Sequence, residues 1–373
     1  MRILIAPDKF KGSLTAREVA AAIGRGARRV FPEATIIEQP MADGGEGSLE
    51  LLQQILPLQT YRLEVTGPLR KKVMAEYLMG EGKAFIEVAR ACGLQHLPPH
   101  RRDPGRTTTI GVGMLIEDAL ARGARDISLF LGGSATNDCG AGMAAALGYR
   151  FFGNRPEDFV PTGDSLGYVL RIDDAEVMPA VKDARFTAVC DVDNPLLGDR
   201  GATMVYASQK GAKLTDLPVL EEHMERFSGV LAQFSGTSVL VPGSGAAGGL
   251  GAGIRAFLGG DIQSGIDRMM EVTGLEKWLI GADLVITGEG CIDDQTPHGK
   301  VVSGVAGRAQ HAGAKVLAVA GRCTLDQAAS RMPDVHQIAA LMDQPGMTME
   351  RSMGDTAVEL EGMVVGLLRS LKI

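Results

Sequence analysis

The sequence predicts an α/β protein with largely parallel sheets, arranged as two domains with one inserted into the other. Three observations predict it. Short apolar runs rich in β-branched residues alternate with helical patterns along the 373 residues, and that alternation builds parallel sheets with crossover helices. Most of the apolar runs end in a polar or glycine-rich loop. One segment, 60–83 (TYRLEVTGPLRKKVMAEYLMGEGK), reads instead as an antiparallel hairpin and marks the start of an insertion. Residues 1–60 and 280–373 then form one discontinuous domain and 61–279 the other, with the active site expected in the cleft between them.

Strands are expected over 2–6, 34–39, 84–89, 126–131, 186–191, 283–287 and 315–320. Helices are expected over 15–31, 46–56, 110–123, 137–148, 215–235, 262–280, 299–313 and 355–370. The first helix opens on Thr15-Ala16-Arg17-Glu18, a capping box that satisfies two otherwise orphan backbone donors. The last places Val358, Leu360, Met363, Val364, Leu367 and Leu371 near one face.

Composition removes several function classes. Thirty-eight basic against 45 acidic residues leave a net charge of −7 and no basic stripe, which disfavours a nucleic-acid partner. No run of 18 apolar residues offers a membrane span, and the apolar run near Met1 is too short for a signal peptide. The five cysteines lie far apart with no C-x-x-C pair, so neither a zinc site nor a disulfide framework is expected. Free thiols point to a reducing, cytoplasmic setting. Self-association into a homo-oligomer stays open. Glycine is abundant, at 49 residues, and each costs backbone entropy, so the excess needs a reason.

In parallel sheets ligands bind beyond the carboxyl ends of strands, and the candidate chemistry lies there. The first loop carries Asp8, Lys9 and Lys11, whose ammonium groups can pair with phosphate oxygens. The second holds Asp43 and Glu46 among glycines, suited to Mg²⁺ or to capping a helix. Ser134, Thr136, Asn137 and Asp138 can hydrogen-bond a small polar substrate or cap the next helix. Asp191 and Asp193 alternate at a strand end, so both carboxylates point one way; one suits a metal or a proton, or the pair forms an Asx turn. Glu289, Asp293 and Asp294 make a further acidic loop that closes at Gly299-Lys300. His298 is the one histidine beside a motif, and a surface position suits it best. The segment 242–253 (PGSGAAGGLGAG) contains G-x-G-x-x-G before a helix, a pattern that can cradle phosphate or simply make a tight turn. Walker and protein-kinase signatures are absent.

Taken in order, APDKFKGSLTA (6–16), ADGGEGS (42–48), VTGPL (65–69), RDP (102–104), GGSATNDCGAGM (132–143), CDVDNPLLG (190–198), QKGA (209–212), PGSGAAGGLGAG (242–253) and TGEGCIDDQTPHGK (287–300) closely resemble the bacterial glycerate kinase family of the 2-phosphoglycerate-forming type. The resemblance covers essentially the whole chain. It implies a Rossmann-like, discontinuous domain with a second α/β domain inserted, and phosphorylation of (R)-glycerate with ATP as co-substrate and Mg²⁺ as cofactor. Lys9 stands where the family often has serine, Cys139 where it has glycine and Cys291 where it has arginine.

Within that resemblance, Asp191, Asp193 and Lys11 are expected to be catalytic, with Asp191 or Asp193 taking the hydroxyl proton. Asp8, Asp43, Ser134, Thr136 and Asn137 are expected to bind the substrate. Gly243, Ser244, Gly245, Gly248, Gly249 and Lys300 are expected to hold nucleotide phosphates. Asp191, Asp193, Glu289 and Asp293 are the candidate metal ligands. Three other readings stay open at this point: a 3-phosphoglycerate-forming kinase, a hydroxy-acid dehydrogenase using NAD, and a non-catalytic hydroxy-acid sensor.

Overall fold

The computed structural model describes residues 1–45, 47–154, 157–297 and 299–371, so Glu46 and His298 lie outside the described residues. The chain divides into two units, 1–55 with 264–373, and 56–263. Residues 264–279, expected in the insertion, group with the first unit. In chain order the strands are β1 (Arg2–Ile5), β2 (Thr35–Glu38), β3 (Gln59–Thr66), β4 (Lys72–Gly80), β5 (Lys83–Glu87), β6 (Asp126–Phe130), β7 (Arg150–Phe152), β8 (Arg171–Asp173), β9 (Arg185–Val189), β10 (Asp261–Gln263), β11 (Leu284–Ile292), β12 (Lys315–Cys323) and β13 (Gln337–Ala340).

The first unit is a five-stranded sheet in the order β13-β12-β11-β1-β2, every pairing parallel. Its central strands are nearly all apolar because helices cover both faces. Ile3, Ile5, Leu284, Ile286, Leu317 and Val319 are buried against Val19 and Ile23 of helix Ala16–Val30 and against Leu360 and Val364 of helix Thr356–Ser370. The capping box forms as expected: Thr15 Oγ1 accepts from the Glu18 N–H, and Glu18 accepts from the Thr15 N–H at 2.8 Å. From β1 the chain moves outward to β2, and from β11 it moves the opposite way to β12. The reversal lies between β1 and β11, and such switch points open a crevice at the strand carboxyl ends.

The second unit carries a six-stranded mixed sheet in the order β10-β9-β6-β5-β4-β3. The predicted hairpin is its antiparallel flank, β3 with β4 in register from Gln59↔Met79 to Thr66↔Lys72. The remaining strands from β5 to β10 run parallel. A separate antiparallel pair, β7 with β8, lies outside that sheet.

Four sequence expectations are corrected. The single helix over 262–280 is β10, helix Gly265–Thr273 and helix Leu275–Leu279, because Gly274 takes a left-handed conformation (φ 65°) between the helices. The helix expected from 137 begins only at Ala141, since Asp138 turns back to cap it. Val358 is 70% exposed, so it leaves the buried stripe of the last helix. The strand expected to end at 287 continues to Ile292, paired with β12 as far as Ile292↔Cys323, so Glu289 stands on a strand instead of in a loop.

Candidate functional site

At the carboxyl ends of β1 and β11 the first unit holds a cavity of about 470 Å³. Asp8 enters it from the turn after β1, Glu289 from β11 itself and Asp43 from the loop after β2. Lys9, Lys11 and Lys300 line the same space. Pro7 and Asp8 prolong the strand direction, since the Asp8 N–H donates to the Gly288 carbonyl at 2.8 Å. That bond fixes the Asp8 backbone beside the Glu289 strand.

The acids are withdrawn from water. Asp8 is 8% exposed and Glu289 5%. Burial pushes Asp8 up to about 7, with the neighbouring Asp43 carboxylate adding to the rise and the Lys9 N–H, Lys9 and Lys300 opposing it. Burial likewise raises Glu289 to about 7, against a hydrogen bond from Thr296 and the charge of Lys300. Two carboxyls poised near neutrality, with cations beside them, form the kind of environment in which proton transfer and polyanion binding occur together.

The surrounding groups are held in place. The Thr296 hydroxyl donates to Glu289 Oε1 and accepts the Asp293 N–H at 3.0 Å. Asp293 Oδ1 accepts the Gln295 N–H at 2.9 Å and lies 3.5 Å from Lys300 Nζ. Asp43 Oδ1 accepts the Gly45 N–H at 3.0 Å. Ser352, Met353 and Thr356, from the start of the C-terminal helices, close one wall, and the Thr356 and Ser13 hydroxyls hydrogen-bond each other. The sequence carried no signal for that wall. Thr296 lay inside the quoted TGEGCIDDQTPHGK run without a role.

The other expected site residues lie in the second unit, in a different setting. Ser134, Thr136, Asn137 and Asp138 are all buried. Asp138 accepts from Thr109 N at 2.7 Å, Thr109 Oγ1 at 2.9 Å, and Gly140 N and Gly142 N at 3.3 Å. It is therefore a structural cap. The Asn137 amide donates to Thr203 Oγ1 at 3.2 Å. Lys210, part of the QKGA run but given no role from sequence, is buried and donates to Ser134 Oγ at 3.1 Å and to the Thr136 carbonyl at 2.8 Å. Burial pulls its ammonium down to about 8, partly offset by Cys92 and Asp138.

Segment 243–249 also sits in the second unit, and its glycines have a packing explanation. A Cβ on Gly248 would fall 1.9 Å from the Thr136 carbonyl oxygen, and one on Gly245 2.1 Å from the Pro195 carbonyl oxygen. Ala247, Gly248 and Gly249 all adopt left-handed backbone, so regular helix starts only after them. The preceding strand, β9, ends far upstream at Val189. The strand-turn-helix context of a dinucleotide fingerprint is missing.

Asp191 and Asp193 lie beyond the end of β9, so strand alternation does not orient them. Both are exposed. Asp193 pairs with Arg200 through both oxygens, at 2.9 and 3.0 Å. The four expected metal ligands are thus divided, Asp191 and Asp193 in one unit and Glu289 and Asp293 in the other. Among the described residues no group of three or more histidine, cysteine or acidic side chains is gathered to hold a metal.

A family model for the glycerate kinase family matches residues 3–372. The chain belongs to the glycerate kinase family. Among its relatives in that family, glycerate kinase of Bacillus cereus is 42% identical over 348 residues, covering 92% of this chain and 91% of that one. Glycerate 2-kinase of Escherichia coli K12 is 41% identical over 357 residues, covering 95% and 94%. A Salmonella typhimurium LT2 chain whose crystal structure is named for glycerate kinase 2 superposes with a TM-score of 0.85 at 37% identity, over 100% of this chain and 98% of that chain. This glycerate kinase family member has no helix, among its described residues, that is long and apolar enough to cross a membrane.

Proposed function

We propose that the chain transfers the γ-phosphoryl group of ATP, carried as its Mg²⁺ complex, to the 2-hydroxyl of (R)-glycerate. The observation that carries this reading is the cavity at the β1/β11 switch point, where buried acids face lysines. Phosphoryl transfer is mostly a matter of positioning and of neutralising charge. Lys9, Lys11 and Lys300 supply positive charge for phosphate oxygens and for the substrate carboxylate, and Asp8 and Asp43 supply acceptors for its hydroxyls. Mg²⁺ enters on the nucleotide, because it binds through substrate phosphates and keeps several waters instead of needing a dedicated cage. The kinship with a chain named glycerate 2-kinase supports the 2-position as acceptor.

The test is ADP release from Mg-ATP and (R)-glycerate, with phosphorus NMR of the product. Release with 2-phosphoglycerate as product is expected. No release, or 3-phosphoglycerate as the product, overturns the proposal.

A further inference from the structure

Resting on the glycerate kinase reading above, we propose that Glu289 takes the proton of the acceptor hydroxyl and that Thr296 is the residue that positions it. Three features of the cavity lead there. First, Glu289 lines the cavity from a strand, paired with Ala320 of β12, and the Gly288 carbonyl before it accepts the Asp8 N–H, so its backbone is fixed where a loop residue's is not. Second, the direction of the Thr296 hydroxyl is set by its neighbours. Thr296 is fully buried, and its oxygen already accepts the Asp293 N–H. Its single proton goes to Glu289 Oε1, and Oε2 is the oxygen left for a ligand.

Third, two of the alternatives are already engaged. Asp193 is exposed and paired with Arg200. Asp8 Oδ1 already accepts the Lys9 N–H at 2.6 Å, which suits it to orientation. Among the described residues, the charged groups around Glu289 are Asp8, Asp43 and Asp293 on the acidic side and Lys9, Lys11 and Lys300 on the basic side. The lysines line the same cavity as the acid.

The step balances without a further reagent. The acceptor O–H bond breaks and its proton passes to Glu289 Oε2. The freed electron pair forms the new bond to the γ-phosphorus. The bond from that phosphorus to its bridging oxygen breaks, and its electron pair leaves on ADP.

The experiment measures kcat and KM for glycerate with Mg-ATP in the full-length chain. Glu289→Gln keeps shape and removes the base, so kcat is expected to fall about 100-fold or more, the range of general-base catalysis, with KM within about threefold. Thr296→Val is expected to lower kcat about tenfold, and Thr296→Ser, which keeps the hydroxyl, to restore it to within about threefold. Circular dichroism and thermal melts confirm that each variant is folded. Glu289→Gln turning over within about tenfold of wild type overturns the base assignment. A Thr296→Ser variant as slow as Thr296→Val, or a loss confined to KM, overturns the positioning role. A wild-type chain inactive on glycerate sinks the functional reading itself, which is a separate and visible result.

Discussion

The two units each bury ionisable groups, and they do so to opposite ends. In the first, Asp8 and Glu289 are buried around an open cavity, with side-chain acceptors facing space. In the second, Lys210 is buried against Ser134 and the Thr136 carbonyl, and Asp138 is enclosed by four hydrogen bonds from its own neighbourhood. Both regions draw on polar residues from the motif runs, so sequence alone makes them look alike. The partners separate Lys210 and Asp138 from Asp8 and Glu289, while Thr136 Oγ1, Asn137 Oδ1 and Ser244 Oγ in the second unit are buried without a hydrogen-bond partner. Groups saturated by the protein hold a fold, and groups left facing a cavity are available to a ligand.

That contrast can be broken or sharpened by measurement. The largest expected effect is in the second unit. Gly248→Ala would set a methyl 1.9 Å from the Thr136 oxygen at a left-handed backbone position (φ +70°), and a loss of about 3–5 kcal/mol is expected. Urea melts measure it, and an unchanged midpoint would contradict close packing of 244–249 on 136–139.

Lys210→Met comes next. It leaves the Thr136 carbonyl unpaired, for a cost of about 1–3 kcal/mol. Lys210 also predicts a pH signature. Its folded-state pKa, about 8, lies below the ordinary lysine value of 10.5. Its stabilising contribution is therefore present above about 10.5 and is lost as pH falls toward 8. Wild-type stability should rise across that window, and the methionine variant should lack the rise.

In the first unit the balance is reversed. Asp8→Asn should change stability at pH 8 by only about 1 kcal/mol, in the stabilising direction, because it removes a buried charge. Phosphoryl transfer should nevertheless drop at least about tenfold. The wild-type acid is raised to about 7, so its contribution to stability is full below about 4 and is lost as pH rises through 7. Equal losses of stability and turnover in Asp8→Asn would erase the distinction between the units. The smallest effect belongs to the capping box: Thr15→Ala should cost about 1 kcal/mol and leave turnover per folded molecule unchanged.

Much of the fold was legible in the sequence. The apolar runs of β1, β11 and β12 are buried on both faces, and continuous hydrophobicity is what such strands require. The hairpin at 60–83 and the capping box at Thr15 were also plain, because each depends on local chemistry. Tertiary pairing was harder to read. Strand β11 runs past Gly288 and Glu289 because β12 pairs with it, and no local pattern encodes that. The same limit explains the site. Asp8, Asp43, Lys11 and Lys300 stood out as polar residues after strands. Their gathering into one cavity with Glu289, and the Thr296 bond to Glu289, depend on contacts far apart in sequence or on a hydroxyl's direction. The glycine excess divides the same way. Gly245 and Gly248 are required by neighbouring carbonyls of the protein itself, a demand that resembles anion binding when only the sequence is seen.

The pairing of β1 with β11 sets Ile3 beside Leu284, with the whole second unit encoded between them. During synthesis the first strand of the chain emerges long before its partner. At about 5–20 residues per second, the delay between the two is some tens of seconds. Throughout it, an apolar strand destined for the middle of a sheet has β2 for a neighbour on one side and nothing on the other. The cavity that joins Asp8 to Glu289 is therefore among the last features of the molecule to come into being, and a nascent chain carries Asp8 and Asp43 well before it has Glu289 to set beside them.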